Sequence, residues 1–402
     1  ALPEGMVLLG VGRYRNNSTK QYIVRNAETG KTRTLRAGKE ITLRNEIIEL
    51  SDGTMVWFGE KGSVMRFTLT PSTDTPQDII KANTAFDGGL LKSGVTGETL
   101  FDPGKIGPLA QSLRAEINGK SYTIHMPQDM KEAARELQDR RVFAAVTIAA
   151  LLQAEEYLGV SNNLPTEILA VPDAASPSQA GLAGFFGSNK TKNGMFVVLQ
   201  KNTADYMGIV AHEFTHETLG SSPLADFTEG VAVHIQRRIA PSSPAATHFY
   251  TKKLDPKLLH YNEAYVPATA TELFGNDVNK EYRVAYSWSY VTGAFLLQAI
   301  TELYGDEGMV KFMTAYELSK DRYYHGGYEL NIADKKTGKT VRNRDAIRTL
   351  LIDTFGVSET NRIIGMQEAA LKGYGKRFLK EEAKKQNANI VAELTIGRLA
   401  AN

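Results

Sequence analysis

Asp205-Tyr-Met-Gly-Ile-Val-Ala-His-Glu-Phe-Thr-His-Glu-Thr-Leu-Gly220 is the stretch on which the reading of this chain turns. Met207, Val210, Ala211, Phe214 and Thr218 recur at the i, i+3, i+4, i+7 spacing of a helix that buries one stripe. Asp205, Gly208, Ile209, His212 and His216 fall on the other side, and a cleft is expected there. His212 and His216 stand four residues apart, about one turn or ~6 Å, so both imidazoles reach one ion. Glu213 is rotated by roughly 100° from His212 and points at water on that ion rather than at the ion itself.

A third ligand is expected downstream. Gly220 ends the helix, and Pro223 suits the first turn of another. The second helix contains Phe227-Thr-Glu229-Gly-Val-Ala232. From His216 the chain descends about four residues and climbs back six from Pro223, so an antiparallel pair returns Glu229 to the level of the histidines. Gly230 is expected to let the two helices pack closely. The sequence contains no cysteine, so a metal here takes His and carboxylate ligands, a donor set that suits one zinc ion.

Upstream, residues 1–70 read as short strands rich in β-branched and aromatic residues: Tyr22-Ile-Val, Thr32 to Leu35, Ile41-Thr-Leu, Ile47 to Leu50, Met55 to Phe58 and Val64 to Leu69. Glu28-Thr-Gly, Arg36-Ala-Gly and Ser51-Asp-Gly punctuate them as hairpin turns do. A small all-β accessory domain, barrel or sandwich, is expected. Residues 71–118 carry much Pro, Gly, Asp, Ser and Thr and read as a linker with some short helix. From 119 the pattern changes to a strand at Tyr122-Thr-Ile-His-Met, a long helix from about Asp129 to Leu158 with Gly159 as its C-cap, strands at Glu167 to Val171 and Met195 to Leu199, and helices after Asp205. The fold class expected is α+β, with residues 119–220 as an upper subdomain and 221–402 as a helical lobe.

Composition excludes several classes. The 402 residues are 42% hydrophobic and 23% charged, which is ordinary for globular chains. A net charge of +2 from 47 basic and 45 acidic residues gives no electrostatic reason to expect nucleic acid. The longest apolar run, Val142 to Leu152, falls short of the ~20 residues a membrane helix needs. The chain opens Ala1-Leu-Pro-Glu without a methionine, and a secreted or periplasmic location is the expectation.

His212-Glu-Phe-Thr-His216 followed by a Glu229-Gly-x-Ala helix resembles the gluzincin zinc peptidases, whose branches include thermolysin-like proteases and zinc aminopeptidases. The resemblance spans about residues 120 to 375. It includes the Arg283-Val-Ala-Tyr286 helix running through Gly293 to Tyr304-Gly305, and Arg344-Asp-Ala-Ile347 with Thr354-Phe-Gly356. It implies a zincin-like catalytic domain, zinc on His212, His216 and Glu229, Glu213 as general base and a peptide or protein substrate lying as an extra strand beside Met195 to Leu199. Tyr286 is the implied oxyanion donor, with Tyr282, Tyr290 or His325 as alternatives. Two departures stand out. Val233 replaces the carboxylate that orients a histidine ligand in thermolysin-like enzymes, leaving Asp226 or Glu217 as candidates. The stretch Lys192-Asn-Gly-Met-Phe lacks the acid with which aminopeptidases capture a free amine, so an endopeptidase is expected over an aminopeptidase. The alternative of a different class is a surface-binding or assembly protein with an inactive zincin-like domain. His234 and His125 are expected to be structural or exposed, Trp57 and Trp288 core.

Overall fold

In the computed structural model the described residues are 2–77, 80, 91–92, 99–159, 166–175, 186–189, 192–219, 225–243, 278–319, 331–333 and 340–370. The chain divides into two compact units, residues 1–222 with 232–246, and 223–231 with 247–402. Both helices and sheets are present, as the α+β expectation requires. No helix among the described residues is long and apolar enough to cross a membrane.

In the first unit, eight strands come first: β1 (Met6–Gly10), β2 (Arg13–Asn16), β3 (Tyr22–Asn26), β4 (Thr32–Leu35), β5 (Glu40–Thr42), β6 (Glu46–Glu49), β7 (Thr54–Phe58) and β8 (Val64–Thr68). They form a three-stranded sheet, β1-β2-β5, and a five-stranded one, β4-β3-β6-β7-β8. Tyr14, Val24, Leu35, Leu43, Val56 and Phe58 from both sheets share one apolar core. Gly30 and Gly53 turn these hairpins at φ +69° and +80°, a region where a side chain is strained. The expectation began at Tyr22 and missed β1 and β2. In β1 the three residues after Met6 are all exposed, so no period-two pattern marks it.

The segment read as a linker supplies strands to a further, six-stranded sheet. It contains β9 (Thr70–Ser72), β10 (Leu91–Lys92), β11 (Thr99–Phe101) and β12 (Ser112–Ile117), followed by β13 (Lys120–His125). β10 and β11 pair with each other as a separate two-stranded sheet, while β9, β12 and β13 join β14 (Glu167–Val171), β15 (Phe186–Asn189) and β16 (Lys192–Val198) in the order β15-β16-β14-β13-β12-β9. The pairs β13–β14 and β14–β16 are parallel. A parallel pair needs a crossover, and the helix α1 (Arg140–Leu158) connects β13 to β14.

Helix α1 begins eleven residues later than its expected start at Asp129. The Asp139 side chain accepts from Arg141 N and Val142 N and caps it there. The residues before it bury Met130, Ala133, Ala134 and Leu137 at helix-like spacing, but in turns and a short 3-10 segment. Ala134 N donates to Gln200 O, drawing this stretch onto the chain beyond β16. Gly159 ends α1 in the left-handed region at φ 65°, as expected. Arg141 of α1 donates to Gly53 O at 2.9 Å, tying the helix to the β6–β7 hairpin end.

β15 pairs antiparallel with β16 from Lys192 through Met195. Of the stretch Met195 to Leu199, expected to receive the substrate strand, β15 covers Met195 alone among the described residues.

At the centre of the sheet His125 is buried. Its Nδ1 lies 2.7 Å from Ser112 Oγ and its Nε2 2.7 Å from Glu167 Oε1, linking β12, β13 and β14. Of the structural and exposed readings, the structural one holds.

Three helices come after the sheet strands along the chain: α2 (Thr203–Leu219), α3 (Ala225–Ile239) and α4 (Val278–Ser319). α4 is interrupted at Gly305, whose φ of 66° and ψ of −166° are not helical. The second unit also holds β17 (Asn331–Ala333) paired with β18 (Thr340–Arg342), α5 (Asn343–Phe355) and a further helical stretch over 357–370.

Candidate metal centre

α2 is buried on more than one side. Met207, Val210, Ala211, Phe214 and Thr218 form the expected buried stripe, each at 0% exposure. The opposite side is not an open cleft face along its length. Ile209 packs with Phe101, Leu169, Val171, Phe196 and Val198 against the sheet. Gly208 lies under α3, where an added Cβ would come 3.1 Å from Gln236 Cγ and 3.3 Å from Ala240 Cβ. The amphipathic pattern located the helix correctly, but a small or aliphatic residue on the second face signalled packing rather than access.

The close approach of α2 and α3 is thus carried by Gly208. Gly230, on α3, meets Gly293 of α4: a Cβ on Gly230 would lie 2.3 Å from Gly293 Cα. That contact is impossible for any larger residue without moving the backbone.

His212, His216 and Glu229 come together. One ligand atom from each lies within 4.8 Å of the others, with His212 buried and the other two half-buried. The two imidazoles meet edge to face, and their Nε2 atoms are 3.1 Å apart. Two nitrogens bound at 2.0–2.1 Å to one tetrahedral ion stand about 3.3 Å apart. The observed separation fits that geometry, and two nitrogens with one carboxylate and no thiolate are the donors of an open catalytic site. The group can therefore hold a metal ion.

Gln236 is the residue that the sequence reading missed. Its Oε1 lies 3.1 Å from His212 Nδ1. It stands on α3 seven residues beyond Glu229, two turns along and on the same face, and that spacing is the signal by which it could have been found. The side chains of Asp226 and Glu217, the two expected orienting groups, lie outside the described residues.

Glu213 follows His212 on α2 and is 8% exposed, enclosed for an ionisable side chain. Tyr282, Tyr286 and Tyr290 lie on α4 at four-residue spacing, but their side chains fall outside the described ones, as do Trp288's side chain and all of His325. Trp57 is fully buried, as expected. His234 is buried on α3, and burial, with Arg238 and Arg237 adding to it, pushes its pKa down to about 3.

Compared with known protein families the chain matches none, and no curated protein matches it either.

Proposed function

We propose that the chain is a zinc-dependent peptidase of the gluzincin type, an endopeptidase with a zincin-like catalytic domain acting on peptide or protein substrates. The observation that supports this best is the convergence of both histidine Nε2 atoms and the Glu229 carboxylate on one point, beside a glutamate at position 213.

His212, His216 and Glu229 would hold the ion. When bound, zinc supplies Lewis acidity that brings the pKa of water towards neutrality. Glu213 then has the work of a general base. Its carboxylate takes a proton as water adds to the peptide carbonyl and returns it to the leaving nitrogen. The low exposure of Glu213 keeps competing water from that carboxylate. The Tyr286 hydroxyl would donate a hydrogen bond to the oxygen on which negative charge develops, since a phenol is a neutral donor. A substrate strand would add beside Met195 to Leu199, along the part of β16 past its pairing with β15.

Metal analysis of the purified full chain tests the proposal, joined to peptide-library cleavage with and without a chelator. About one zinc per chain is expected, with cleavage that the chelator stops, and His216→Ala should lose most of the metal. A His216→Ala protein that keeps its full zinc, or cleavage indifferent to chelation, overturns the assignment.

A further inference from the structure

His212 is engaged at both ring nitrogens, by Gln236 Oε1 at Nδ1 and by His216 Nε2 at Nε2. An amide oxygen only accepts, so the proton of a neutral His212 sits on Nδ1 and the lone pair on Nε2. Gln236 is 1% exposed, and its place beside α2 depends on the absence of a side chain at Gly208. A Cβ there would stand 3.1 Å from Gln236 Cγ and 3.4 Å from Gln236 Nε2. Gly208 is one turn before His212, so the same helix that presents the ligand leaves the gap that seats its partner.

We propose that Gln236, seated over Gly208, is the positioning residue of the metal centre: its amide oxygen fixes the Nδ1–H tautomer and the ring orientation of His212. The inference rests on the metal-binding reading above. It also gives the centre a particular electrostatic character. A carboxylate in this role would add a negative charge and raise the basicity of the imidazole. The neutral amide orients the ring and adds no charge, so its contribution to metal affinity is geometric.

Zinc affinity of the full chain, measured by competition with a chromophoric chelator, reads this directly. Gln236→Leu removes the acceptor at similar volume and should weaken binding roughly 10–100-fold. Gln236→Glu restores the acceptor and should bind as tightly as the parent or more so. Gly208→Ala, which crowds Gln236 without touching a ligand, should also weaken binding, by less than Gln236→Leu does. A purely packing role would lower the melting temperature of the metal-free protein and leave the zinc affinity of the folded variant unchanged. Nitrogen-15 spectra of the imidazoles in the zinc-loaded parent give a reading that needs no variant to fold: His212 should show a slowly exchanging Nδ1 proton. A His212 bound to zinc through Nδ1, or a folded Gln236→Leu chain with the parent's affinity, overturns the proposal. A parent chain that takes up no zinc is a separate result, seen before any variant is made, and removes the metal centre itself.

Discussion

His125 and His212 are both buried, and both are engaged at two ring nitrogens, yet the groups they meet differ in kind. His125 stands between a hydroxyl, Ser112, and a carboxylate, Glu167, on adjacent strands. A carboxylate only accepts, so Nε2 carries the proton and Nδ1 accepts from the Ser112 hydroxyl, and no nitrogen is left to bind anything else. His212 meets an amide oxygen at Nδ1 and a second imidazole nitrogen at Nε2. Two imidazole nitrogens facing each other need either a proton or a cation between them, and Glu229 adds an anion at the same point. A buried histidine becomes a metal-ligand candidate when its outward nitrogen meets other donors, and a structural one when both nitrogens find complementary partners. Burial alone does not separate the two cases.

The largest effect that tests this contrast is at Glu213. Glu213→Gln should cut peptide hydrolysis by roughly 10²–10⁴-fold while zinc content stays at the parent level. Glu229→Ala should instead lose metal. If the two variants behave alike in metal analysis, base and ligand have been confused.

At the sheet, His125→Leu should leave zinc binding of the folded protein intact but lower its stability by about 3 kcal/mol. Glu167, 4% exposed, would lose a short hydrogen bond that the new side chain cannot replace. Denaturant unfolding measures the loss. A changed zinc affinity in that variant would break the division drawn between the two histidine sites.

Tyr286→Phe should lower kcat by about 10²-fold with KM and zinc content nearly unchanged. An unaltered kcat there, with Tyr282→Phe, Tyr290→Phe or His325→Ala impaired instead, moves the oxyanion role to that residue.

The smallest effect concerns His234, a third buried histidine and one with a titration to follow. Its pKa is held at about 3 in the fold against 6.5 ordinarily. The unfolded chain therefore binds a proton below pH 6.5 that the folded chain refuses, so stability is full above pH 6.5 and falls as pH drops towards 3. By pH 5 the loss is about 2 kcal/mol at 1.36 kcal/mol per unit. His234→Leu should flatten that part of the stability profile. An unchanged acid slope in this variant would show that other groups set it.

Much of this was legible from residues alone. The helix carrying His212 and His216, the return of Glu229 on a second helix and the close of α1 at Gly159 were all readable, because each depends on periodicity or on one residue with a restricted or unusually free backbone. Strands β14 and β7 were readable from their runs of β-branched and aromatic residues. The linker reading of residues 71–118 failed because β12, Ser-Leu-Arg-Ala-Glu-Ile, carries three polar residues among six and β9 is only three residues long; a strand such as Thr70–Ser72 is recognisable only by its partner. The early start assigned to α1 failed because residues 130–137 have helical spacing of their apolar residues, and tertiary hydrogen bonding outweighed that propensity.

Sequence by itself determined which residue types could bind a metal and that two of them share a helical face, since a four-residue separation on a helix fixes direction within narrow limits. It also determined that no thiolate takes part. Only the tertiary structure decided what stands behind those ligands: Gln236 at His212 Nδ1, Gly208 making room for it, and Gly293 against Gly230. Such contacts depend on how helices are rotated and offset against one another. Helical periodicity states which residues share a face, but it does not state which face of another helix that face will meet.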